Sequence, residues 1–305
     1  MRCWHPRYLW YRFLFKIASL RLAHFRYPIH LDVEFGGNVC NFQCPFCWHG
    51  KGNLKSKLGW MSWDLYKKII DETAGHSMGL KLQSRGESFL HPKIFEAIEY
   101  AKKKGFVEVF ITTNGSLFNP NVGDKILLSG LDVLIFSIDD AHRQGCGGDY
   151  HDVVDKMSQF ILQRNHFNWK TPIVRLQIGR LDSQNDEEFE AFLEEYVDSH
   201  RLRKLADEVV YTVEFQHTDD SDPIPNEKLQ KNKCPIAWQR MLIGWDGRVT
   251  FDCRDFNFEY DYGNVNDKSI KEIWNGPEFK HHRYIHKHGL RGENRICRHC
   301  EQFLG

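Results

Sequence analysis

The sequence predicts an α/β protein: a partial (β/α)6 TIM-like barrel followed by a small C-terminal domain with a β-hairpin and short helices. Between about residues 30 and 215, short segments rich in Val, Ile, Leu and Phe alternate with helix-like segments. This alternation is typical of βα units around a parallel sheet. Six units are fewer than the eight of a closed barrel, which indicates a partial barrel or an open doubly wound sheet. Either architecture places chemistry at the carboxyl ends of the strands.

Six strands and four helices account for the alternation. The predicted strands are 31–35, 80–84, 107–113, 131–139, 172–178 and 207–215, and the predicted helices are 62–74, 92–105, 150–167 and 186–200. Helix 92–105 has the clearest limits, because Pro92 opens it and Gly105 closes it.

The pattern changes after His217, where a polar segment with two prolines begins. We therefore divide the chain into an N-terminal extension, the barrel, a linker and a C-terminal domain, at 1–30, 31–217, 218–233 and 234–305. In the C-terminal domain, residues 241–251 are predicted to form a hairpin with Asp246 and Gly247 in its turn. Ser269 and Glu272 form a capping box that starts a short helix.

Residues 1–30 are basic and aromatic, with six Lys or Arg, eight aromatic residues and no acid. Two interpretations stay open: an amphipathic helix in weak contact with a membrane surface, or a leading helix that packs its aromatic face on the main domain, which we favour. A signal peptide is not predicted, because Arg12, Lys16 and Arg21 interrupt any apolar stretch. No later run of about 18 apolar residues predicts a transmembrane span.

The composition narrows the class of protein. The 305 residues carry a formal net charge of zero, which does not favour a nucleic-acid partner. Nine cysteines, an odd number with clustered spacing, argue against a secreted disulfide framework. The clusters point to metal or catalysis and to a reducing, cytoplasmic compartment.

Three cysteines, Cys40, Cys44 and Cys47, follow the first predicted strand directly and therefore lie at the catalytic rim. Three thiolates on one loop can hold three irons of a [4Fe–4S] cluster, which normally has four cysteine ligands. The fourth iron then keeps an open, reactive position. A zinc site with His49 as fourth ligand is the alternative, and the spacing favours iron–sulfur.

This C-x3-C-x2-C segment, with aromatic Phe46 before the third cysteine, resembles that of radical S-adenosylmethionine (SAM) enzymes. The resemblance implies that the open iron binds SAM and that the reduced cluster cleaves it to a 5′-deoxyadenosyl radical. That radical abstracts a hydrogen atom from the substrate. An external one-electron reductant, such as flavodoxin or ferredoxin, is implied as a partner.

Further matches follow in order at the ends of later strands. Ser84-Arg85-Gly86-Glu87 is similar to the family's Gly-Gly-Glu segment, although Arg85 replaces the first glycine. Thr113-Asn114-Gly115 and Ser137-Ile138-Asp139 resemble the segments after the third and fourth strands. The resemblance implies that SAM is contacted by Phe46, Gly86, Glu87, Asn114, Ser137, Asp139 and Arg180.

A second set of cysteines lies in the C-terminal domain: Cys234, Cys253, Cys297 and Cys300. With the intervening Gly263-Asn264-Val265 and Ile273-Trp274, it resembles a SPASM-type extension or its shortened "twitch" form. The resemblance implies one auxiliary [4Fe–4S] cluster with all four irons ligated, which transfers electrons or staples the domain. A structural zinc ribbon is the alternative.

Three functional hypotheses follow. The first is dehydrogenation of an alcohol on a sugar-like or aminocyclitol small molecule, with the auxiliary cluster as electron acceptor. The second is epimerisation or cross-linking of a ribosomally made peptide, with Cys146 as possible hydrogen donor. The third, a non-enzymatic metal-stabilised binding protein, is disfavoured by the ordered SAM-site matches.

Substrate residues are weakly indicated by the sequence. Glu214, Gln216 and His217 end the sixth predicted strand, and Arg175 and Arg180 flank the end of the fifth. The histidine-rich run 281–288 between cluster cysteines is interpreted as a solvated helix face.

Overall fold

The computed structural model describes residues 5–45, 47–139, 149–181, 185–199, 201–214, 234–252 and 254–300. In chain order the elements are α1 Pro6–Arg21, β1 His30–Val33, α2 Trp63–Thr73, β2 Gly79–Lys81, α3 Ile94–Lys103, β3 Glu108–Thr113, α4 Pro120–Ser129, β4 Val133–Asp139, α5 Tyr150–His166, β5 Ile173–Leu181, α6 Asp186–Phe192, α7 Leu202–Leu205, β6 Glu208–Glu214, α8 Ile236–Gln239, β7 Arg240–Ile243, β8 Val249–Thr250, α9 Ile270–Trp274 and α10 Pro277–Lys287. The predicted linker 218–233 lies outside the described residues.

The eight strands of the described residues form one sheet in the order β6-β5-β4-β3-β2-β1-β7-β8. Neighbours from β6 to β1 are parallel, as a wall built from βα units requires. The prediction of an α/β fold with a partial barrel is confirmed, because six successive parallel strands with intervening helices make an incomplete (β/α) wall.

The predicted hairpin is also present, and it extends the barrel sheet. Strand β7 pairs in parallel with β1, with Leu31 beside Met241, and β8 pairs antiparallel with β7. Gly247 sits in the turn with a φ of +87°, a backbone conformation that glycine adopts without strain. The C-terminal segment is thus joined to the first barrel strand by backbone hydrogen bonds.

One hydrophobic core runs through both parts of the chain. It contains Leu31 of β1, Tyr66 of α2 and Phe136 of β4, together with Trp274 and Phe279 of the C-terminal segment, all buried. A shared core of this kind fixes the auxiliary cysteines relative to the barrel rim.

Helix α1 packs one face against the amino-terminal ends of the strands. Tyr11 and Ala18 are buried against Ile29 and Trp238, and Arg7 Nη2 donates to the carbonyl oxygen of Gly105 at 2.7 Å. The favoured prediction of a leading helix packed on the main domain is therefore confirmed for this face. Among the described residues, every helix is too short or too polar to cross a membrane.

Helix α4 is an element that the sequence analysis missed. Asn119 caps it by accepting a hydrogen bond from the backbone N–H of Val122, Pro120 occupies its first turn, and Gly130 follows it with a φ of +81°. These are ordinary start and stop signals. The short length and Gly123 in its interior had hidden its periodicity.

Candidate active site

The three rim cysteines lie on the loop that leaves β1. Cys40, Cys44 and Cys47 are partly buried, and the first two pack against the core. The backbone N–H of Cys47 donates to the carbonyl oxygen of Cys44 at 3.0 Å, which folds the loop back on itself. Burial, with smaller contributions from the nearby Glu87 and Cys47, raises the pKa of Cys40 to about 11. A metal that binds here must therefore displace a proton from this thiol.

Gly86 lets the loop after β2 approach the cysteine loop directly. It has a φ of +81°, and the N–H of the next residue, Glu87, donates to the carbonyl oxygen of Val39 at 2.8 Å. A Cβ atom at position 86 would lie 2.4 Å from that oxygen, which is closer than such contacts allow. The backbone immediately before Cys40 is therefore positioned by a residue that must be glycine.

The Glu87 carboxylate connects two predicted SAM-contact segments. It is buried, and it accepts hydrogen bonds from the N–H of Asn114 at 2.8 Å and from the hydroxyl of Thr113 at 3.0 Å. Burial raises the pKa of Glu87, and these hydrogen bonds oppose that shift. The Asn114 side chain in turn donates to Asn41 Oδ1, inside the cysteine loop, at 3.1 Å.

These contacts bring together Cys40, Gly86, Glu87 and Asn114, which the sequence placed on three different strand ends. The donor set of three thiols on one loop, beside a glycine cradle, fits a cluster held by three cysteines. Ser137 lies half-buried on β4, where its backbone pairs with Gln177 of β5.

Several other predicted residues fall where the structure describes no side chain. Phe46, Cys146, Cys253, Gln216 and His217 lie outside the described residues, as do the side chains of Asp139, Arg180 and Glu214.

Arg175 lies near the start of β5, away from the rim, and its Nε donates to Glu208 Oε2 at 2.7 Å. Its placement at the end of the fifth strand was wrong, because β5 continues to Leu181.

Arg85, which stands where the resembling family has glycine, is built into the seam between barrel and C-terminal segment. Its guanidinium binds both carboxylate oxygens of Glu34, at 2.6 and 2.7 Å. A third nitrogen donates to the carbonyl oxygen of Phe256 at 2.6 Å, and the group lies 4.8 Å from the ring centre of Phe258. In the sequence, Arg85 stands out only as a departure from the family pattern, and no local signal indicates this role.

The described cysteines of the second set are all buried. Cys234 precedes α8, and Cys297 and Cys300 lie in the last described turn. Burial raises the pKa of Cys297 well above its ordinary value, and Cys234 and Cys300 raise it further. Thiols from two distant parts of the chain therefore interact electrostatically in the buried interior. Such a buried set fits a metal centre better than isolated core cysteines.

Two histidines of α10 join this group, which corrects the sequence interpretation. His282 and His286 are buried, and their ligand atoms lie with Cys297 Sγ within 4.8 Å of one another. His286 Nε2 is 3.5 Å from that sulfur. The prediction of a solvated helix face is correct only for His281 and His288, which are exposed. The spacing of His282 and His286 was the signal that could have revealed their burial, since both lie on the same helix face as the buried Phe279.

A partial barrel with a cysteine loop after its first strand, and a buried cysteine set beside it, defines an iron–sulfur enzyme class. Residues 36–163 match the radical SAM superfamily, and residues 234–301 match the iron–sulfur cluster-binding domain SPASM. This chain is a member of the radical SAM superfamily with a C-terminal SPASM domain. Its cofactors are SAM and a [4Fe–4S] cluster in the barrel, with further iron–sulfur in the SPASM domain.

Curated relatives and solved structures are similar to this chain over most of its length. The chain is 26% identical over 296 residues to the tungsten-containing aldehyde ferredoxin oxidoreductase cofactor-modifying protein of Pyrococcus furiosus, covering 82% of each chain. It is 23% identical to the antilisterial bacteriocin subtilosin biosynthesis protein AlbA of Bacillus subtilis, over 90% of this chain and 64% of AlbA. The crystal structure of BtrN with AdoMet and 2-DOIA has the same fold, with a TM-score of 0.56, 18% identity, and coverage of 90% of this chain and 93% of BtrN.

Proposed function

We propose that this enzyme oxidises an alcohol on a sugar-like or aminocyclitol small molecule to a ketone. The observation that carries the proposal is the pairing of β7 with β1. It joins the strand that leads into the rim cysteine loop to the segment that follows Cys234. A buried redox centre held this way would be fixed against the first strand of the barrel, and we propose that it accepts an electron from the substrate.

The proposed roles of the residues are those that the resemblance to radical SAM enzymes implies. Cys40, Cys44 and Cys47 would hold the SAM-binding cluster, and Gly86 with Glu87 would shape the adjacent wall of the SAM site. Further SAM contacts would come from Phe46, Asn114, Ser137, Asp139 and Arg180. The auxiliary cluster would be held by Cys234, Cys253, Cys297 and Cys300.

When bound at Cys40, Cys44 and Cys47, a cluster reduced by an external flavodoxin or ferredoxin would supply, with SAM, the radical chemistry that removes the carbinol hydrogen. A cluster held by the second cysteine set would take up the remaining electron. The substrate thus loses a hydrogen atom, a proton and an electron, which balances its conversion from alcohol to ketone. The fold likeness to BtrN, whose structure holds AdoMet and 2-DOIA, supports a small polyhydroxylated substrate.

The test uses anaerobically reconstituted enzyme, which should hold about eight irons if both sites carry [4Fe–4S] clusters. A panel of aminocyclitols and sugars deuterated at the carbinol carbon is then incubated with SAM and reductant. We expect deuterium in 5′-deoxyadenosine and a ketone product. Unlabelled 5′-deoxyadenosine with every panel member would contradict the proposal.

Peptide modification is the second candidate, and the AlbA match over 90% of this chain favours it. Solvent isotope separates the outcomes. Epimerisation in D2O places deuterium on the radical carbon of a peptide, whereas dehydrogenation leaves an oxidised carbon without solvent deuterium.

A further inference from the structure

Helix α1 has a second face that the barrel does not cover. Leu9, Trp10, Phe13 and Leu20 are exposed by 48%, 54%, 50% and 72%. Trp10 and Phe13 stack with ring centres 5.4 Å apart. Leu9, Trp10 and Phe13 are neighbours on one helix face, because residues three and four apart share a face. Leu20 lies two turns further along the same face, and together they form an outer stripe, opposite buried Tyr11 and Ala18. We call it the outer stripe of α1.

Single exposed apolar side chains are ordinary on soluble proteins, but a contiguous stripe with stacked aromatic rings marks an interaction surface. Within the part of the chain that the structure describes, these side chains stay exposed to solvent and no element covers them. Trp10 favours the interface between water and lipid, because its large indole ring carries a polar N–H, and Phe13 adds apolar surface beside it.

The positive charge of α1 favours an anionic partner. Arg12, Lys16 and Arg21 are exposed beside the stripe, and the helix contains no acidic residue. A second copy of the same surface would place these cations against one another, which disfavours self-association. An anionic lipid surface complements both the apolar stripe and the flanking cations.

The position of the helix suits such docking. Helix α1 contacts the amino-terminal side of the strands, near Ile29 and Gly105, whereas the cysteine loop and Glu87 lie at the carboxyl ends. A surface bound through α1 would therefore leave the mouth of the barrel open. With 16 residues, the helix is about 24 Å long and would lie in the plane of the headgroups.

We propose that α1 docks the enzyme on an anionic bilayer, with its outer stripe among the headgroups and acyl ends and its exposed cations against lipid phosphates. The docking is independent of the reaction that the barrel performs.

The experiment is flotation of the full-length enzyme with vesicles of phosphatidylcholine containing 30% phosphatidylglycerol, compared with pure phosphatidylcholine. We expect flotation with the anionic vesicles, weakening as salt rises, and at least tenfold weaker binding for the Trp10→Ser/Phe13→Ser variant. The matched control is Leu128→Ser/Leu162→Ser, which removes two leucines exposed by 73% and 53% on α4 and α5. It should bind as the unmodified enzyme does.

Three results would overturn the proposal. The unmodified enzyme stays at the bottom of the gradient with anionic vesicles; the control loses as much binding as the Trp10/Phe13 variant; or light scattering shows a dimer that only the Trp10/Phe13 variant abolishes, without flotation. Thermal unfolding of both variants checks that the substitutions leave the fold intact.

Discussion

Arg85 and Glu34 form a fully buried ion pair in which two guanidinium nitrogens bind the two carboxylate oxygens, at 2.6 and 2.7 Å. The same carboxylate accepts from the backbone N–H of Trp245 at 3.2 Å. The pair therefore ties the end of β1 and the loop after β2 to the turn between β7 and β8. Bidentate geometry of this kind is available to arginine and not to lysine.

Arg85→Met should destabilise the protein by about 3–5 kcal/mol, because it leaves the Glu34 carboxylate buried without its partner. Arg85→Lys should retain only part of the stability. Urea unfolding followed by circular dichroism measures the difference. The matched control is Arg175→Met, whose pair with Glu208 is largely exposed and should contribute about 1 kcal/mol or less. Equal unfolding midpoints for Arg85→Met and Arg175→Met would contradict this role.

Gly86→Ala should weaken the cysteine loop as well as the fold. The new Cβ would collide with the carbonyl oxygen of Val39, and the backbone has a positive φ. We expect the free energy of unfolding, measured in urea, to fall by about 2–4 kcal/mol, and less iron to be bound by the rim cysteines. Gly75→Ala separates the two causes, because Gly75 has a φ of +77° with open space around it and should lose only about 1 kcal/mol. Similar losses of unfolding free energy in both variants would show that the close contact between Gly86 and Val39 does not contribute to stability.

Cys40→Ala and Cys300→Ala should fail at different steps. Cys40→Ala is expected to abolish SAM cleavage, because the rim cluster loses a ligand. Cys300→Ala should still produce 5′-deoxyadenosine but lose the oxidised product, because the auxiliary acceptor is damaged. Iron content, 5′-deoxyadenosine and product are measured by chromatography and mass spectrometry. Full product formation by Cys300→Ala would rule out the auxiliary centre as electron acceptor.

His286→Leu should lower the reduction potential of the auxiliary cluster. A cysteine sulfur bound to iron carries no proton, so His286 Nε2, 3.5 Å away, would donate to Cys297. Hydrogen bonds to cluster sulfurs raise the potential. A tenfold change in the reduction equilibrium, about 59 mV for one electron, is the expected scale in an EPR-monitored redox titration. His281→Leu, an exposed position on the same helix, should leave the potential unchanged; an equal shift in both variants would remove His286 from this role.

The strands and the order of the site segments could be predicted from the sequence, because a parallel sheet has long apolar strands and brings their carboxyl ends together. Glu87 and Asn114 met at the rim for this reason. The partners of Arg85 could not be predicted, since Glu34 and Phe256 lie 51 and 171 residues away along the chain. The burial of His286 was hidden by the polar composition of α10, whose apolar face is formed by a few residues between histidines and lysines.

The position of β7 also governs how the protein is made. Strand β1 is buried along its whole length, and one of its two neighbours is encoded some 210 residues later, at Arg240–Ile243. During synthesis this edge of the sheet stays unpaired until most of the chain has left the ribosome, and an open apolar edge invites wrong pairing. The sheet around β1 is therefore completed late in synthesis. The cysteine loop that follows β1 becomes ordered for iron binding only then.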